Sequence, residues 1–246
     1  MKQNYTNYNQ EDFLVWKTLF ERQIKNLEGK ASKAYFDALK KIEFTPTKIP
    51  NFTEVNEILA KYTGWNLTVV PQIVPEKEFF DLLATNKFPA TTWLRKMSQL
   101  DYLEEPDMFH DVFGHAPLLT NADYVGFFKG VAKLALENQN NEEIIKALGR
   151  IYWFTIEFGL INENNTVGIY GAGIISSFGE TNHCLSEKAN HIKFNVKEIM
   201  HKSFVNSEIQ TDYFVIDSFR ELYESLNEIE EEISLIKKQK PVLAKQ

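Results

Sequence analysis

Apolar residues recur at intervals of three and four along most of the chain, which is the spacing of one face of an α-helix. This spacing predicts helices, in chain order, over residues 11–27, 31–42, 76–83, 122–138, 142–158 and 217–238. A further helix is expected to begin around residues 51–54, with Thr53 as its cap. The last predicted helix is long and amphipathic, with apolar residues at Phe219, Leu222, Leu226, Ile229 and Ile233.

Strand signals are few and short. β-branched runs predict strands at 67–70 and 213–216, and the glycine-rich stretch 166–173 predicts a small hairpin or bend. No internal repeat, low-complexity tract or Gly/Ser linker divides the sequence. We therefore predict a mostly α fold with small β pieces, in a single domain over residues 1–246.

Composition and charge narrow the class of protein. Hydrophobic residues make up 43% and charged residues 25%, as in ordinary globular proteins. The net charge is -7 and no clustered basic run precedes Lys237-Lys238-Gln239-Lys240, so nucleic-acid binding is not expected. No apolar run approaches the ~18 residues that span a bilayer, so no membrane association is expected. One cysteine, Cys184, and an N-terminus without an apolar signal segment predict a cytoplasmic protein.

Candidate chemistry concentrates in residues 104–117, where two of the five histidines, His110 and His115, lie five positions apart. On an ideal α-helix, residues five apart diverge by about 140°, so the pair does not match the His-Glu-x-x-His zinc signature. Both imidazoles converge on one point only if the helix ends between them, and Gly114 and Pro117 would allow that ending. Two capping or core histidines are the alternative.

Glu157 is a candidate third ligand, because it lies in an otherwise apolar, ring-rich stretch. A buried carboxylate requires a charge partner or a metal. Two histidines and one carboxylate form the ligand set of non-haem Fe(II) sites. A core ion pair with an arginine is the alternative, and the spacing does not choose between the two.

Three longer motifs are more specific than the individual candidate ligands. They are Pro-Asp-Met-Phe-His-Asp-Val-Phe-Gly-His-Ala-Pro at 106–117, Ile-Tyr-Trp-Phe-Thr-Ile-Glu-Phe-Gly-Leu at 151–160, and Tyr-Gly-Ala-Gly-Ile-Ile-Ser-Ser-Phe-Gly-Glu at 170–180. In sequence, order and separation they resemble the pterin-dependent aromatic amino acid hydroxylases, in particular their single-domain bacterial members. The likeness covers roughly residues 51–223.

The resemblance implies that His110, His115 and Glu157 bind Fe(II). It also implies a tetrahydropterin, either tetrahydrobiopterin or a related pterin, as electron donor. O2 would be the co-substrate and would be split to give one hydroxyl group and one water. The implied activity is a phenylalanine 4-monooxygenase that converts L-phenylalanine to L-tyrosine.

Further site residues follow from the resemblance alone. It implies that Arg95 holds the substrate carboxylate, that Asp107 holds Arg95, and that Ser176 and Glu180 orient His110. The amino acid pocket would also include Trp153, Gly173 and Ser176. The implied pterin contacts are Val74, Glu76, Phe79 and Tyr152.

Substrate choice stays open at this point. Val215 occupies a position at which an aspartate accompanies tyrosine hydroxylation in this family, so its apolar side chain is consistent with phenylalanine. A tryptophan hydroxylase on the same fold is one alternative, and a catalytically silent metal-binding helical scaffold is another. Because the chain shows no counterpart of the regulatory domain or tetramerisation segment of animal members, a monomer is expected.

Overall fold

A computed structural model describes residues 1–101, 103, 105–206 and 208–239, so Lys240 of the basic run lies outside them. Helices make up most of the described chain, as the apolar spacing predicts. The α-helices are α1 (Gln10–Leu27), α2 (Lys33–Ile42), α3 (Phe52–Tyr62), α4 (Glu76–Ala84), α5 (Ala122–Glu137), α6 (Glu142–Tyr152), α7 (Ala172–Ser176), α8 (Phe178–His183), α9 (Val196–His201), α10 (Phe219–Glu224) and α11 (Leu226–Gln239). Two π-helical segments are π1 (Phe109–His115) and π2 (Trp153–Glu157), and three-residue to four-residue 3-10 turns lie at Tyr5–Asn7, Met97–Gln99 and Pro117–Thr120.

The strands form two small sheets. They are β1 (Asn66–Val69), β2 (Lys87–Ala90), β3 (Leu160–Glu163), β4 (Thr166–Ile169), β5 (Asn190–Lys193) and β6 (Asp212–Ile216). Parallel strands β1 and β2 form one sheet, in which Asn66 pairs with Lys87. The other has the order β4-β3-β6-β5, with an antiparallel β3-β4 hairpin and parallel pairing of β6 with β3 and β5. The two expected strands are therefore present as β1 and β6, within a mostly helical fold. The hairpin lies over residues 160–169 instead of 166–173, because its turn falls at Asn164 and Asn165 and residues 172–176 form α7.

The cap of α3 and the continuity of the last helix differ from the sequence-based expectation. The cap of α3 is Asn51 rather than Thr53, because the Asn51 side chain accepts a hydrogen bond of 2.9 Å from the Thr53 backbone N–H. The expected helix over 217–238 is two helices that meet at Ser225, whose hydroxyl donates to the Leu222 carbonyl at 2.7 Å. This break places Leu226 directly against Gly130 of α5.

Large rings fill the interior, which accounts for the high aromatic content. The largest fully buried side chains are Trp16, Trp65, Tyr35, Tyr124, Tyr170, Tyr213, Phe109, Phe113, Phe127, Phe128, Phe154 and Phe214. One continuous apolar cluster runs from Val15 on α1 to Ile236 on α11. Helix α7 packs against both π1 and π2, so the core brings these three segments together. In the described part of the chain, every helix is too short or too polar to cross a bilayer.

Candidate active site

The segment that carries His110 and His115 is a π-helix, π1. The expectation that a helix ends between the two histidines is therefore wrong. A π-helix bonds residue i to residue i+5, so residues five apart lie about one turn apart on the same face. The two imidazole rings accordingly lie close together in an edge-to-face arrangement, with centroids 5.1 Å apart and planes at 81°. Widening of the helix, rather than its termination, makes the histidines converge.

Gly114 also has a different role from the helix-ending role expected for it. A Cβ atom at Gly114 would lie 2.9 Å from the Ala172 carbonyl oxygen and 3.2 Å from the Ala172 Cβ. The glycine therefore allows π1 to approach α7 more closely than any side chain would permit. This contact fixes the histidine segment against the helix that carries Ser176.

Glu157 ends the second π-helical segment, π2, which continues α6 without interruption. The change from α to π is visible in the hydrogen bond of 3.0 Å from the Phe158 N–H to the Trp153 carbonyl, five residues back. The prediction of a helical stretch over 142–158 is thus close, but its last turn is wider than an α-turn. The wider turn directs the buried Glu157 carboxylate to the histidines.

The three side chains form one compact donor cluster. One Glu157 oxygen lies 3.1 Å from His115 Nε2, and the other lies 3.7 Å from His110 Nε2. Burial raises the pKa of Glu157, but the charge and hydrogen bond of His115, with the charge of His110, outweigh burial and lower this pKa to about 2. The carboxylate is therefore ionised and available as a ligand.

This cluster fits a divalent metal. One donor atom from each of His110, His115 and Glu157 lies within 4.8 Å of the other two. In the described chain, the ion pairs of Glu157 are made with these histidines, so the alternative of an arginine partner is not observed. Two imidazoles and one carboxylate match the facial ligand set of non-haem Fe(II), which leaves positions open for other ligands.

Ser176 sets the tautomer of His110. The Ser176 hydroxyl donates to the Ala172 carbonyl at 2.9 Å, and its oxygen lies 2.9 Å from His110 Nδ1. Because the only hydroxyl proton is used on Ala172, the serine oxygen accepts from an Nδ1–H group. His110 Nε2 then carries the free lone pair that a metal requires.

Glu180, by contrast, does not orient His110. Its carboxylate accepts hydrogen bonds from the Gln210 backbone N–H at 3.0 Å and from the Tyr213 hydroxyl at 2.6 Å. Burial raises the pKa of Glu180, although these two hydrogen bonds act in the opposite direction. Helix α8 begins only after Ser176, and it points this carboxylate to the loop before β6 instead of to the metal ligands.

The Ser176→Ala substitution is expected to lower Fe(II) affinity by roughly 10–100-fold, because it removes the partner that fixes the His110 ring. Anaerobic Fe(II) titration measures this change. Ser177→Ala is the matched control, since the Ser177 hydroxyl caps α8 at the Glu180 N–H, 3.3 Å away. That control should lose about 1 kcal/mol of stability without losing Fe(II) affinity. Equal affinities in the Ser176 variant and the wild type would contradict this role.

Arg95 and Asp107 form a buried bidentate ion pair, as the resemblance implies. Arg95 Nε and Nη2 each donate to a different Asp107 oxygen at 2.8 Å. The exposed fraction is 9% for Arg95 and 0% for Asp107, so both charges depend on this pairing. Asp107 also accepts from the His110 backbone N–H at 3.2 Å, which ties the guanidinium to the histidine segment. Among the described residues, Arg95 Nη1 makes only a long contact of 3.4 Å with the Leu100 carbonyl.

Trp153 is linked to Glu157 through contacts with Phe158 and Gly173. The Trp153 indole packs on the Phe158 ring, with centroids 4.6 Å apart. Gly173 lies beside both Phe158 and Glu157, and a Cβ atom there would be 3.2 Å from Glu157 Oε2. Gly173 and Ser176 therefore lie next to the donor cluster, whereas Trp153 is connected to it through the Phe158 ring.

A cavity of about 130 Å³ opens onto all three donors. Val74, Phe79 and Tyr152, three of the four residues for which the resemblance implies pterin contacts, line this cavity. The Phe79 ring meets the edge of Tyr152 at 5.3 Å. Glu76 does not join them, because it is exposed in the first turn of α4, outside the cavity lining.

The sequence patterns do not indicate several residues of the site. Phe88 lines the cavity and packs on the His115 ring at 4.7 Å. Asp111 accepts from both the N–H and the hydroxyl of Thr91, which ties β2 to π1. Burial raises the pKa of Asp111 against the opposing effect of His110. The position of Asp111 between the two histidines is a sequence signal that could have identified it as a site residue. Nothing in the local sequence distinguishes Phe88 from an aromatic residue of the core.

This fold and this site define a known class. The chain belongs to the biopterin-dependent aromatic amino acid hydroxylases, whose family model matches residues 2–240. The resemblance carried by the three motifs is therefore confirmed, and the match extends beyond them to α1 and α11.

Individual relatives are similar over nearly the whole chain. The phenylalanine-4-hydroxylase of Chromobacterium violaceum is 40% identical over 232 residues, which cover 92% of this chain and 76% of that protein. The phenylalanine-4-hydroxylase of Pseudomonas aeruginosa is 39% identical, over 91% of this chain and 85% of that protein. The crystal structure of the Chromobacterium enzyme with bound Fe(III) superposes with a TM-score of 0.91 at 39% identity, over 96% of this chain and 86% of that one. Its structure with iron(III) and 7,8-dihydrobiopterin gives a TM-score of 0.90.

Proposed function

We propose that this protein is an iron- and tetrahydropterin-dependent monooxygenase that hydroxylates L-phenylalanine to L-tyrosine with O2. The observation that carries the proposal is the convergence of two imidazoles and one ionised carboxylate on a single cavity. Relatives about 40% identical that are named phenylalanine-4-hydroxylase support the choice of substrate.

His110, His115 and Glu157 would hold the iron, and the bound iron and pterin would together supply the activation of O2. Ser176 keeps the Nε2 lone pair of His110 directed at the metal position. Phe88 limits rotation of the His115 ring through their packing. The chain's own contribution is therefore to present three fixed donors in a site from which aromatic rings exclude water.

The two organic molecules would bind on different sides of the donor cluster. On one side, Arg95 would bind the amino acid carboxylate, since Asp107 engages Nε and Nη2 and, in the described part of the chain, the Nη1 edge has one long contact. On the other side, Phe79 and Tyr152 would contact the pterin within the cavity that contains the donors. The reacting ring and the electron donor would then meet at the metal.

The test is a product assay on purified protein with Fe(II), a tetrahydropterin and O2, in which phenylalanine and tryptophan are offered separately. Tyrosine is expected from phenylalanine, and its formation should stop when iron or pterin is omitted. Hydroxylated tryptophan as the main product would overturn the substrate assignment. No hydroxylation by a folded, iron-loaded protein would support the silent scaffold instead.

We also propose that residues 1–246 form one catalytic domain that acts as a cytoplasmic monomer. The continuous apolar core from α1 to α11 supports a single domain. Ile229, Ile233 and Ile236 of α11 are buried in that core, so the described part of this helix already uses its apolar face. Sedimentation of the purified protein tests the monomer, and a stable tetramer would contradict it.

A further inference from the structure

Gln210 lies in the segment between α9 and β6, and all of its side-chain polar atoms are engaged. Its Oε1 accepts a hydrogen bond of 3.1 Å from the Trp153 indole N–H. Its Nε2 donates to the carbonyls of Val205 and Glu208, each at 2.9 Å. The side chain is buried, so these three contacts hold the amide in one orientation.

The backbone of Gln210 is fixed as well. Its N–H donates to Glu180 Oε1 at 3.0 Å. The Tyr213 hydroxyl lies 2.6 Å from Glu180 Oε2 and 2.9 Å from the Gln210 carbonyl oxygen. Glu180 and Tyr213 are both buried, which makes this small network costly to rearrange. The acceptor that faces the indole therefore has a fixed position.

The Trp153 indole is connected to the donor cluster through a chain of packing contacts. The Trp153 ring packs against Phe158 at 4.6 Å and against Phe204 at 4.4 Å. Phe158 and the Glu157 carboxylate both lie beside Gly173. Two ring contacts restrict tilting of the indole, and the hydrogen bond to Gln210 restricts its rotation within its own plane.

We propose that Gln210 is a positioning residue that fixes the Trp153 indole as a wall of the amino acid pocket. The role of that wall rests on the function proposed above, whereas the contact itself does not. Without the Gln210 acceptor, the indole N–H of the half-buried Trp153 loses its partner and the ring is less restrained. The loss of this hydrogen bond should weaken amino acid binding and not pterin binding. The proposed pterin contacts Phe79 and Tyr152 line a cavity that Gln210 does not reach.

The kinetic test is a double-variant cycle of Gln210→Ala and Trp153→Phe. Gln210→Ala should raise the KM for phenylalanine roughly 3- to 10-fold, as expected for one buried hydrogen bond, and should leave the pterin KM unchanged. Because both substitutions remove the same hydrogen bond, the double variant should match Trp153→Phe alone. Independent, additive effects of the two substitutions would overturn the proposal.

A second readout does not depend on turnover. The sequence contains 4 tryptophans, and in 15N-labelled protein the Trp153→Phe substitution identifies the indole N–H resonance of Trp153 by its loss. Gln210→Ala should shift that resonance upfield and speed its exchange with water. An unchanged resonance would overturn the proposal even in an active enzyme. A shifted resonance in a protein that makes no tyrosine would instead refute the proposed function alone.

Two further variants control for general damage. Gln210→Met keeps the length of the side chain without its acceptor or donor, and it should reproduce both changes if the alanine variant is unstable. Gln3→Ala removes a comparable amide, whose Nε2 donates to the Pro50 carbonyl at 2.9 Å. This control should leave the Trp153 resonance and the phenylalanine KM unchanged. Equal effects of Gln3→Ala and Gln210→Ala would assign the loss to stability and contradict the proposal.

Discussion

The Glu157→Gln substitution is expected to lower Fe(II) affinity by more than about 100-fold and to abolish tyrosine formation. Outer partners of metal ligands typically contribute 10–100-fold in affinity, so loss of an anionic ligand should cost more. Glutamine preserves the shape of the side chain but removes the negative charge that attracts the metal ion. His110→Ala and His115→Ala should act in the same direction, since each removes one of the three donors.

Anaerobic Fe(II) titration and thermal unfolding measure the effect on Glu157→Gln. Iron should raise the melting temperature of the wild type, because it binds only the folded state, and should not raise that of the variant. Glu163→Gln is the matched control on β3, where the Glu163 carboxylate accepts from the Lys33 and Ala34 backbone N–H groups. Normal iron binding by Glu157→Gln would show that this carboxylate is not a ligand.

The Arg95→Lys substitution is expected to raise the KM for phenylalanine about 10- to 100-fold, the effect of losing one or two charge-assisted hydrogen bonds. Lysine keeps a positive charge beside Asp107 but cannot form a bidentate contact. The alanine variant is less informative, because it leaves a fully buried Asp107 without its partner, at a cost of about 3–5 kcal/mol in stability. We expect a smaller change in kcat, since the contact is remote from the reacting ring.

Steady-state kinetics with phenylalanine as the varied substrate measure the KM of Arg95→Lys, and thermal unfolding checks that the variant is folded. Arg150→Lys provides the control, because Arg150 donates to the Met200 carbonyl at 2.8 Å on a different face of α6 from the site. The control should retain the wild-type KM. An unchanged KM in a folded Arg95→Lys enzyme would remove Arg95 from the amino acid site.

Much of the fold follows from local sequence patterns. Long helices such as α1 and α5 were predicted within one or two residues, because apolar spacing and polar caps agree there. Strand β5 was missed, since most of its side chains are exposed and show no apolar alternation. The break at Ser225 was missed for a different reason: the apolar spacing continues through it, and the packing of Leu226 on Gly130 of α5 is not visible in the local sequence.

The site was predictable in its residues but not in its geometry. Motif resemblance selected His110, His115 and Glu157, although α-helical arithmetic placed the two histidines on diverging faces. Their convergence depends on a π-helix, which no pattern in residues 109–115 distinguishes from an α-helix. The tertiary contact of Gly114 with Ala172 accompanies this wider turn. The misassignment of Glu180 has the same origin, because sequence proximity to Ser176 does not reveal which way α8 points.

The most direct test of the proposed function is isotope incorporation from 18O2 by the iron-loaded enzyme with phenylalanine and a tetrahydropterin. The expected product is tyrosine that carries one 18O atom in its new hydroxyl group, and the Glu157→Gln variant should give no product. Tyrosine without the label, or no tyrosine from protein that is folded and iron-bound, would contradict the proposed function.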